Sequence, residues 1–397
     1  MKIREVIPKI IRNSRGEETI EVVTKTKAGS FAASAPAGKS VGKYETPTFI
    51  PSIKPAIKNL KAVIDKITRV ELDGFYDLVE IEKIVPKEKF GANTCVALEF
   101  SLLKALAAEQ GVSVWQLINP KAKVFPFPVG NCIGGGKHTP GKIKPEFQEF
   151  EMIAKSKTFI DRVFLLRRIH DLCGKRLGFH GSKGPLNNEN AWSANITNKK
   201  VLEVMEETRE EVVNELGVDV IIGLDVAANS FFSKGKYNYP SLKKVMTKKQ
   251  HMDYVLELVE EHEIGYLEDP FEENDFEGFR DIKEEIRKIN ECLIVGDDLT
   301  VSQLPRLKQA VKKKAISALI VKPNQNGSLL EIKEVMDYAK SKAIKTIVSH
   351  RSGETEDYVL ADIAFGMQSD YIKTGVLGPG REIKLNRLIE IEKGLKL

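Results

Sequence analysis

The chain has 397 residues, 42% of them hydrophobic and 29% charged, the composition of an ordinary globular protein with enough apolar content for a large core. Its 61 basic and 56 acidic residues leave a net charge of +5, too slight for a nucleic-acid footprint. No apolar run approaches membrane-spanning length, and the charged start MKIREVIPKIIRNSRGEE has no signal-peptide core, so neither a membrane nor a nucleic acid is expected as partner. Cys95, Cys132, Cys173 and Cys292 form no CxxC and read as buried, reduced thiols, which suits the cytoplasm.

Residues 1–122 read as a small α+β domain. Glu18–Thr26 (ETIEVVTKT) alternates and is rich in Val, Ile and Thr, as strands are. Ala32–Tyr44 reads as a loop of small residues. Pro55–Ile67 carries apolar residues at helical spacing, and Ala92–Glu109 is a second, strongly apolar helix. The proline-rich stretch Pro120–Pro128 is the linker candidate.

Residues 123–397 change pattern. Phe127–Gly136 and Phe147–Ala154 are strand candidates, followed by a helix over Phe159–Arg176 whose apolar face includes Phe164, Leu165, Ile169 and Leu172. Asn198–Leu216 is another helix. Then short apolar runs, each followed by a helical stretch, end in Asp225, Glu268, Asp297, Lys322, His350 and Lys373. Buried strands alternating with helices signal parallel βα units, and six in succession favour a closed (β/α) barrel over an open sheet. In such barrels the strand ends share one rim, where the active site lies.

Each rim residue has a plainer reading. A lone Asp is often a helix cap, Lys322 an ion-pair partner, His350 a hydrogen-bonded structural histidine, and Thr346–Asp357 a solvated loop. Three carboxylates on consecutive strand ends, Asp225, Glu268 and Asp297, suit Mg²⁺, with Asp269 and Asp298 behind them. Lys322 can serve as a base if its pKa is lowered, and Lys373 can hold a substrate carboxylate. Arg351 suits phosphate, whose oxygens match its planar fork. A metal, a lysine base and anion clamps together suit proton abstraction beside a carboxylate.

The chain resembles the enolase family in NSRGEETIEV (13–22), GKSVGKYE (38–45), FGAN (90–93), GGGKH (134–138), FQEF (147–150) and LDVAANSFF (224–232). The similarity continues in LEDPFEENDFEGF (267–279), VGDDL (295–299), VKPNQNGSL (321–329), SHRSGETED (349–357) and IKTG (372–375). The resemblance implies a (β/α)8 barrel behind a smaller α+β N-terminal domain, two Mg²⁺ per site, and reversible dehydration of 2-phosphoglycerate, a small phosphorylated carboxylate, to phosphoenolpyruvate. It implies a homo-oligomer, a dimer or larger ring. It assigns Asp225, Glu268 and Asp297 to the tighter Mg²⁺ and Ser40, on a loop that closes over substrate, to the second. Lys322 takes the base's place and Lys373 that of the lysine at the substrate carboxylate. Arg351 and Ser352 match the phosphate contacts, and His350 and His138 the histidines lining the site. Gln148 and Glu149 match a pair supporting the acid.

The chain departs from the family in its loops. Where the family has GDEGGF around its acid, this chain has NNENAW (187–192), which places Glu189 as the acid without the glycines; Glu149 is the alternative acid. Lacking glycine, this turn is expected to avoid positive φ and to take a different shape. TPTFIPSIKP (46–55) stands where an acidic and Arg cluster is usual, and VLGPGRE (376–382) replaces a serine- and arginine-rich turn. A paralogue acting on another phosphorylated or acidic 2-hydroxy acid, or a non-catalytic binding protein on the same frame, therefore stays open.

Overall fold

The computed structural model describes residues 1–38, 42–139 and 144–395, with the side chain of His138 outside the description. The chain opens with an antiparallel sheet of β1 (Glu5–Arg12), β2 (Glu18–Thr26) and β3 (Gly29–Ser34), in that spatial order. β2 lies where the alternation places it. β1 escapes the pattern because it carries Pro8, and as an edge strand it tolerates a residue that cannot donate to a ladder. β3 takes the first residues of the stretch that reads as a small-residue loop. The expected helix over 55–67 is two, Ile53–Ala62 and Ile64–Ile67, interrupted at Val63.

Helix α1 (Ala92–Gln110) lies on β2 and β3. Its residues are buried on every side over most of its length, as an all-round apolar helix must be. Gly111 closes it in the left-handed conformation, at φ 66°.

Eight strands form the barrel: β4 (Phe127–Gly134), β5 (Glu149–Ala154), β6 (Val220–Asp225), β7 (Tyr266–Glu268), β8 (Leu293–Gly296), β9 (Ala318–Val321), β10 (Lys345–Ser349) and β11 (Tyr371–Lys373). They lie side by side in that order, and β11 pairs with β4 to close the ring. One strand breaks the parallel rule: β5 runs antiparallel to both β4 and β6. The link from β4 to β5 carries a short 3-10 turn, Gly136–His138, among its described residues, instead of the crossover helix of a parallel return.

Strand alternation explains the barrel's inside. Val129, Ile153, Tyr266, Val295, Ala318, Ile320 and Ile347 form a dry plug. Two residues further toward the rim, on the same strand face, lie Asn131, Glu151, Glu268, Asp297, Lys322 and Ser349. The plug is thus capped by a polar layer. Because β5 is reversed, its rim end is its start, and Glu149 sits directly across from Asp225.

Helix Phe159–Phe179 packs outside the barrel through Leu165, Leu166, Ile169 and Leu172, but Phe164 is 66% exposed, on the opposite face from these. The helix over Asn198–Leu216 has the bounds its periodicity gives. A small antiparallel sheet over residues 232–246, not foreseen from the sequence, interrupts the chain after β6. All four cysteines are free; three are buried and Cys292 is partly exposed. Among the described residues, no helix is long and apolar enough to cross a membrane.

Candidate active site

The rim encloses a cavity of about 280 Å³. It is lined by Gln148, Glu149, Glu189, Asp225, Asp297, Lys322, His350, Arg351, Ser352 and Lys373, among others. The sequence-predicted residues from seven separate segments therefore converge. Glu268 lies just beneath, fully buried, with Tyr266 donating to its Oε2 at 2.6 Å. Ser40 lies outside the described residues, as does the His138 side chain.

Carboxylates outnumber ammonium groups here, and their charge states show it. Burial pushes Asp225 up to about 6 and Glu268 up to about 7, against the pull of Lys373. Burial and Asp297 push Asp298 up to about 7, and burial with Asp298 raises Asp269 well above its usual range. Asp297 is the exception. Burial pushes it up, yet Lys322 and the Gln325 amide, 3.0 Å from Oδ1, hold it below its ordinary value.

The two lysines are held by this excess. Lys322 forms an ion pair with Asp297, which outweighs burial and raises its pKa. Ser302, at φ 53°, aims its hydroxyl to accept from the Lys322 amide at 2.8 Å and to donate to Gln325 at 2.7 Å. Lys373 reaches four carboxylates: Glu149 at 3.1 Å, Glu151 at 2.8 Å, Asp225 at 3.4 Å and Glu268 at 2.8 Å. Burial pushes its pKa down, and these partners push it well up.

The donor set fits a hard divalent cation: all oxygen, buried, and with too little positive charge nearby. Among the described residues, the carboxylates whose oxygens all lie within 4.8 Å of one another are Asp269, Asp297 and Asp298. Of the three expected ligands, only Asp297 belongs to that group. Asp225 and Glu268 instead face the Lys373 ammonium. Asp269, in the left-handed conformation at φ 40°, accepts from the Asp297 amide at 2.9 Å and the Asp298 amide at 2.7 Å. It orders the turn that carries them.

The anion end is built by two parts of the chain. Arg351 points the Nη1/Nη2 edge of its fork at Glu45, at 3.0 and 3.2 Å, and donates to Asn324 Oδ1 at 3.2 Å. Arg15 donates to the Ser352 hydroxyl and to the Gly38 carbonyl. Gly38 lets the backbone close on the guanidinium, and any larger residue would have to move Arg351 from its place. A Cβ there would fall 1.9 Å from Arg351 Nη2.

Glu189 is 3% exposed, not a solvated loop carboxylate, and Asn131 Nδ2 donates to it at 3.4 Å. The turn that carries it does reach positive φ without glycine. Asn190 takes φ 61°, as Asn tolerates. Asn187 Oδ1 accepts from the amides of Glu189 and Ala191 at 2.8 and 3.1 Å, and Asn190 is tied to the Leu377 carbonyl at 3.2 Å. His350, beside Glu189, is buried. Burial, then Arg381, hold its pKa well below the ordinary value, so the ring is neutral.

Comparison with known proteins decides the family. The enolase C-terminal TIM barrel domain profile matches residues 122–396, and the enolase N-terminal domain profile matches residues 3–118. The chain is similar to the enolase of Thermoplasma acidophilum, at 32% identity over all of this chain and 99% of that one. It is 35% identical to the enolase of Pyrobaculum aerophilum, over 98% of this chain and 96% of that one. The enolase of Archaeoglobus fulgidus is 32% identical, over 99% of this chain and 98% of the other. The chain belongs to the enolase family. It is an enzyme of the phosphopyruvate hydratase kind, a carbon–oxygen lyase.

Several residues of this enolase-family site carry no sequence signal of their own role. Arg15 sits in a motif that announces the family, but nothing local says it reaches Ser352. Glu45 and Asn324 likewise gain meaning only beside Arg351. Glu151 stands in an alternating strand with no local mark of a role, and barrel closure shows that its face points inward.

Proposed function

We propose that this site catalyses the reversible dehydration of 2-phosphoglycerate to phosphoenolpyruvate, a step of glycolysis and gluconeogenesis. The observation that carries the reading is the single cavity. It gathers a lysine, a buried glutamic acid nearly across the mouth, an arginine–serine anion clamp and a carboxylate-rich floor. Lys322 follows β9 and Glu189 lies against Asn131 of β4, three strands further round the eight-stranded ring.

Arg351 and Ser352 bind the phosphate, and Lys373 the substrate carboxylate. Lys322 takes the proton from C2. It is held protonated by Asp297; with Asp297 engaged as a ligand, Lys322 loses that partner, and the nearby Arg351 charge favours the neutral amine. Glu189, kept dry, gives its proton to the leaving C3 hydroxyl. Neutral His350 lines the wall beside it. Gln148 donates to Asp225 at 3.3 Å and fixes that carboxylate, and Glu149 stands next to the acid end. Asp225, Glu268 and Asp297 would hold one Mg²⁺, and Ser40 with the substrate a second. Bound there, the metal supplies positive charge to stabilise the doubly charged enolate. The same reading makes the protein a cytoplasmic homo-oligomer, a dimer or a larger ring.

Purified protein given 2-phosphoglycerate and Mg²⁺ should form the enol product, followed by its ultraviolet absorbance. Chelator or Lys322→Ala should abolish the signal. Folded protein that binds Mg²⁺ but turns over only some other 2-hydroxy acid would replace the substrate assignment.

A further inference from the structure

Glu151 is a fully buried acid for which the chemistry above has no use. It lies on the inward face of β5, below Glu149 and above Ile153 of the dry plug. Among the described residues it does not line the cavity, and its ion-pair partner is Lys373 Nζ at 2.8 Å. Glu151 pairs across the ladder with Gly223 of β6, where a Cβ would meet Tyr266 Cβ at 3.2 Å and Glu151 Cβ at 3.4 Å. Standing between Glu149 and Ile153 on the inward face, the carboxyl meets Lys373 from the plug side.

Lys373 shares its ammonium with the two carboxylates assigned to the metal, Asp225 and Glu268. In this arrangement the ammonium stands among the cation's own ligands. When those ligands turn to a metal ion, Lys373 loses two of its four partners. A buried ammonium stripped of partners is costly, so it would compete to keep them. Glu149 remains, but it faces the cavity and the substrate. Glu151 remains too, and it faces neither.

We infer that Glu151 is a positioning residue for Lys373: it anchors the ammonium from below, so that Asp225 and Glu268 are released to bind metal while Lys373 stays at the substrate carboxylate. This rests on the metal assignment proposed above. Glu151 touches neither substrate nor metal and acts only through Lys373.

The test is calorimetric titration of Mg²⁺ into the full chain, without substrate, for wild type, Glu151→Met and Glu151→Gln, with thermal unfolding of the same metal-free samples. Glu151→Met should bind Mg²⁺ at least about tenfold more weakly, the loss common for residues that orient metal ligands. Glu151→Gln, which keeps an oxygen acceptor for Nζ, should recover part of that loss. The metal-free Tm of both should stay close to the wild-type value, because without metal Lys373 keeps Glu149, Asp225 and Glu268 as partners and its charge is not stranded. Mg²⁺ affinity within twofold of wild type in both variants overturns the inference, as does weakened binding accompanied by a fallen Tm. If Glu151→Met does not fold, Glu151→Gln decides on the same criteria. Wild-type protein that binds no Mg²⁺ overturns the metal assignment, and the inference with it.

Discussion

His251 is a buried imidazole whose two nitrogens have fixed partners. The Tyr239 hydroxyl lies 2.7 Å from Nδ1 and the Pro270 carbonyl 2.6 Å from Nε2, so Nε2 carries the proton and Nδ1 accepts. The ring stacks on Tyr237 with centroids 3.8 Å apart. Burial lowers its pKa from 6.5 to about 4. Between those values the unfolded chain binds the proton and the folded chain does not. Stability is therefore full above pH 6.5 and is lost as pH falls toward 4, by about 3 kcal/mol. Urea unfolding of wild type against His251→Gln should show the gap in stability shrinking by that order from pH 7 to pH 4; an unchanged gap would remove the residue from the acid response. At Glu189 the expectation is chemical. Glu189→Gln should lose dehydration while still exchanging the C2 proton with solvent, read by deuterium incorporation. Full turnover in that variant would move the acid role to Glu149. The rim acids were legible because each ends an apolar run. Glu151 was not, because a Glu alternating with Phe and Met, as in EFEMIA, looks the same whether its face meets water or a barrel axis.

At the scale of elements, β5 shows what pattern reading reaches and what it misses. Its apolar run is plain, but its direction depends on the link before it, whose residues give no period. Reversal brings the start of the strand, rather than its end, to the rim, which is why Gln148 precedes its strand and Glu149 opens it while Asp225 and Lys373 end theirs. Helix bounds were legible where Thr197 and a left-handed Gly217 bracket the periodic run Asn198–Leu216, and failed where a single residue interrupts, as at Val63. The helix Leu329–Ser341, which follows the Lys322 turn, illustrates a cap with two duties. Ser328 Oγ accepts from the Glu331 amide at 3.0 Å and donates to Glu82 Oε1 at 2.6 Å on a helix of the N-terminal part. Ser328→Ala should therefore lower unfolding stability by about 1–2 kcal/mol, a lost cap plus a stranded acid. Urea titration measures it; a change under a few tenths would mean that water replaces both contacts.

Across the whole molecule, the division of labour follows the two layers of the site. The residues proposed as base, acid and ligands of the first metal all come from the barrel and its loops. The proposed anion clamp is shared: Arg351 meets Glu45, and Ser352 meets Arg15. The two parts are stitched there by paired backbone bonds, Ala37 N to Gly353 O at 2.8 Å and Gly353 N to Ala37 O at 2.9 Å. Gly353 admits nothing larger. A Cβ would lie 2.5 Å from Asn13 Nδ2 and 2.9 Å from the Ala37 carbonyl. The side-chain amide can swing away, but the carbonyl belongs to the stitch itself. Gly353→Ala should thus push the N-terminal sheet off the barrel at the clamp and leave the carboxylate floor untouched. The expected signature is split: KM for the phosphorylated substrate rises by roughly tenfold or more, the effect of misplacing a clamp by about an ångström, while Mg²⁺ affinity without substrate stays at the wild-type value. Steady-state kinetics and metal titration on the same preparation read both. A parallel fall in Mg²⁺ affinity would mean that the N-terminal part also shapes the floor, and an unchanged KM would mean that the clamp does not depend on the stitch.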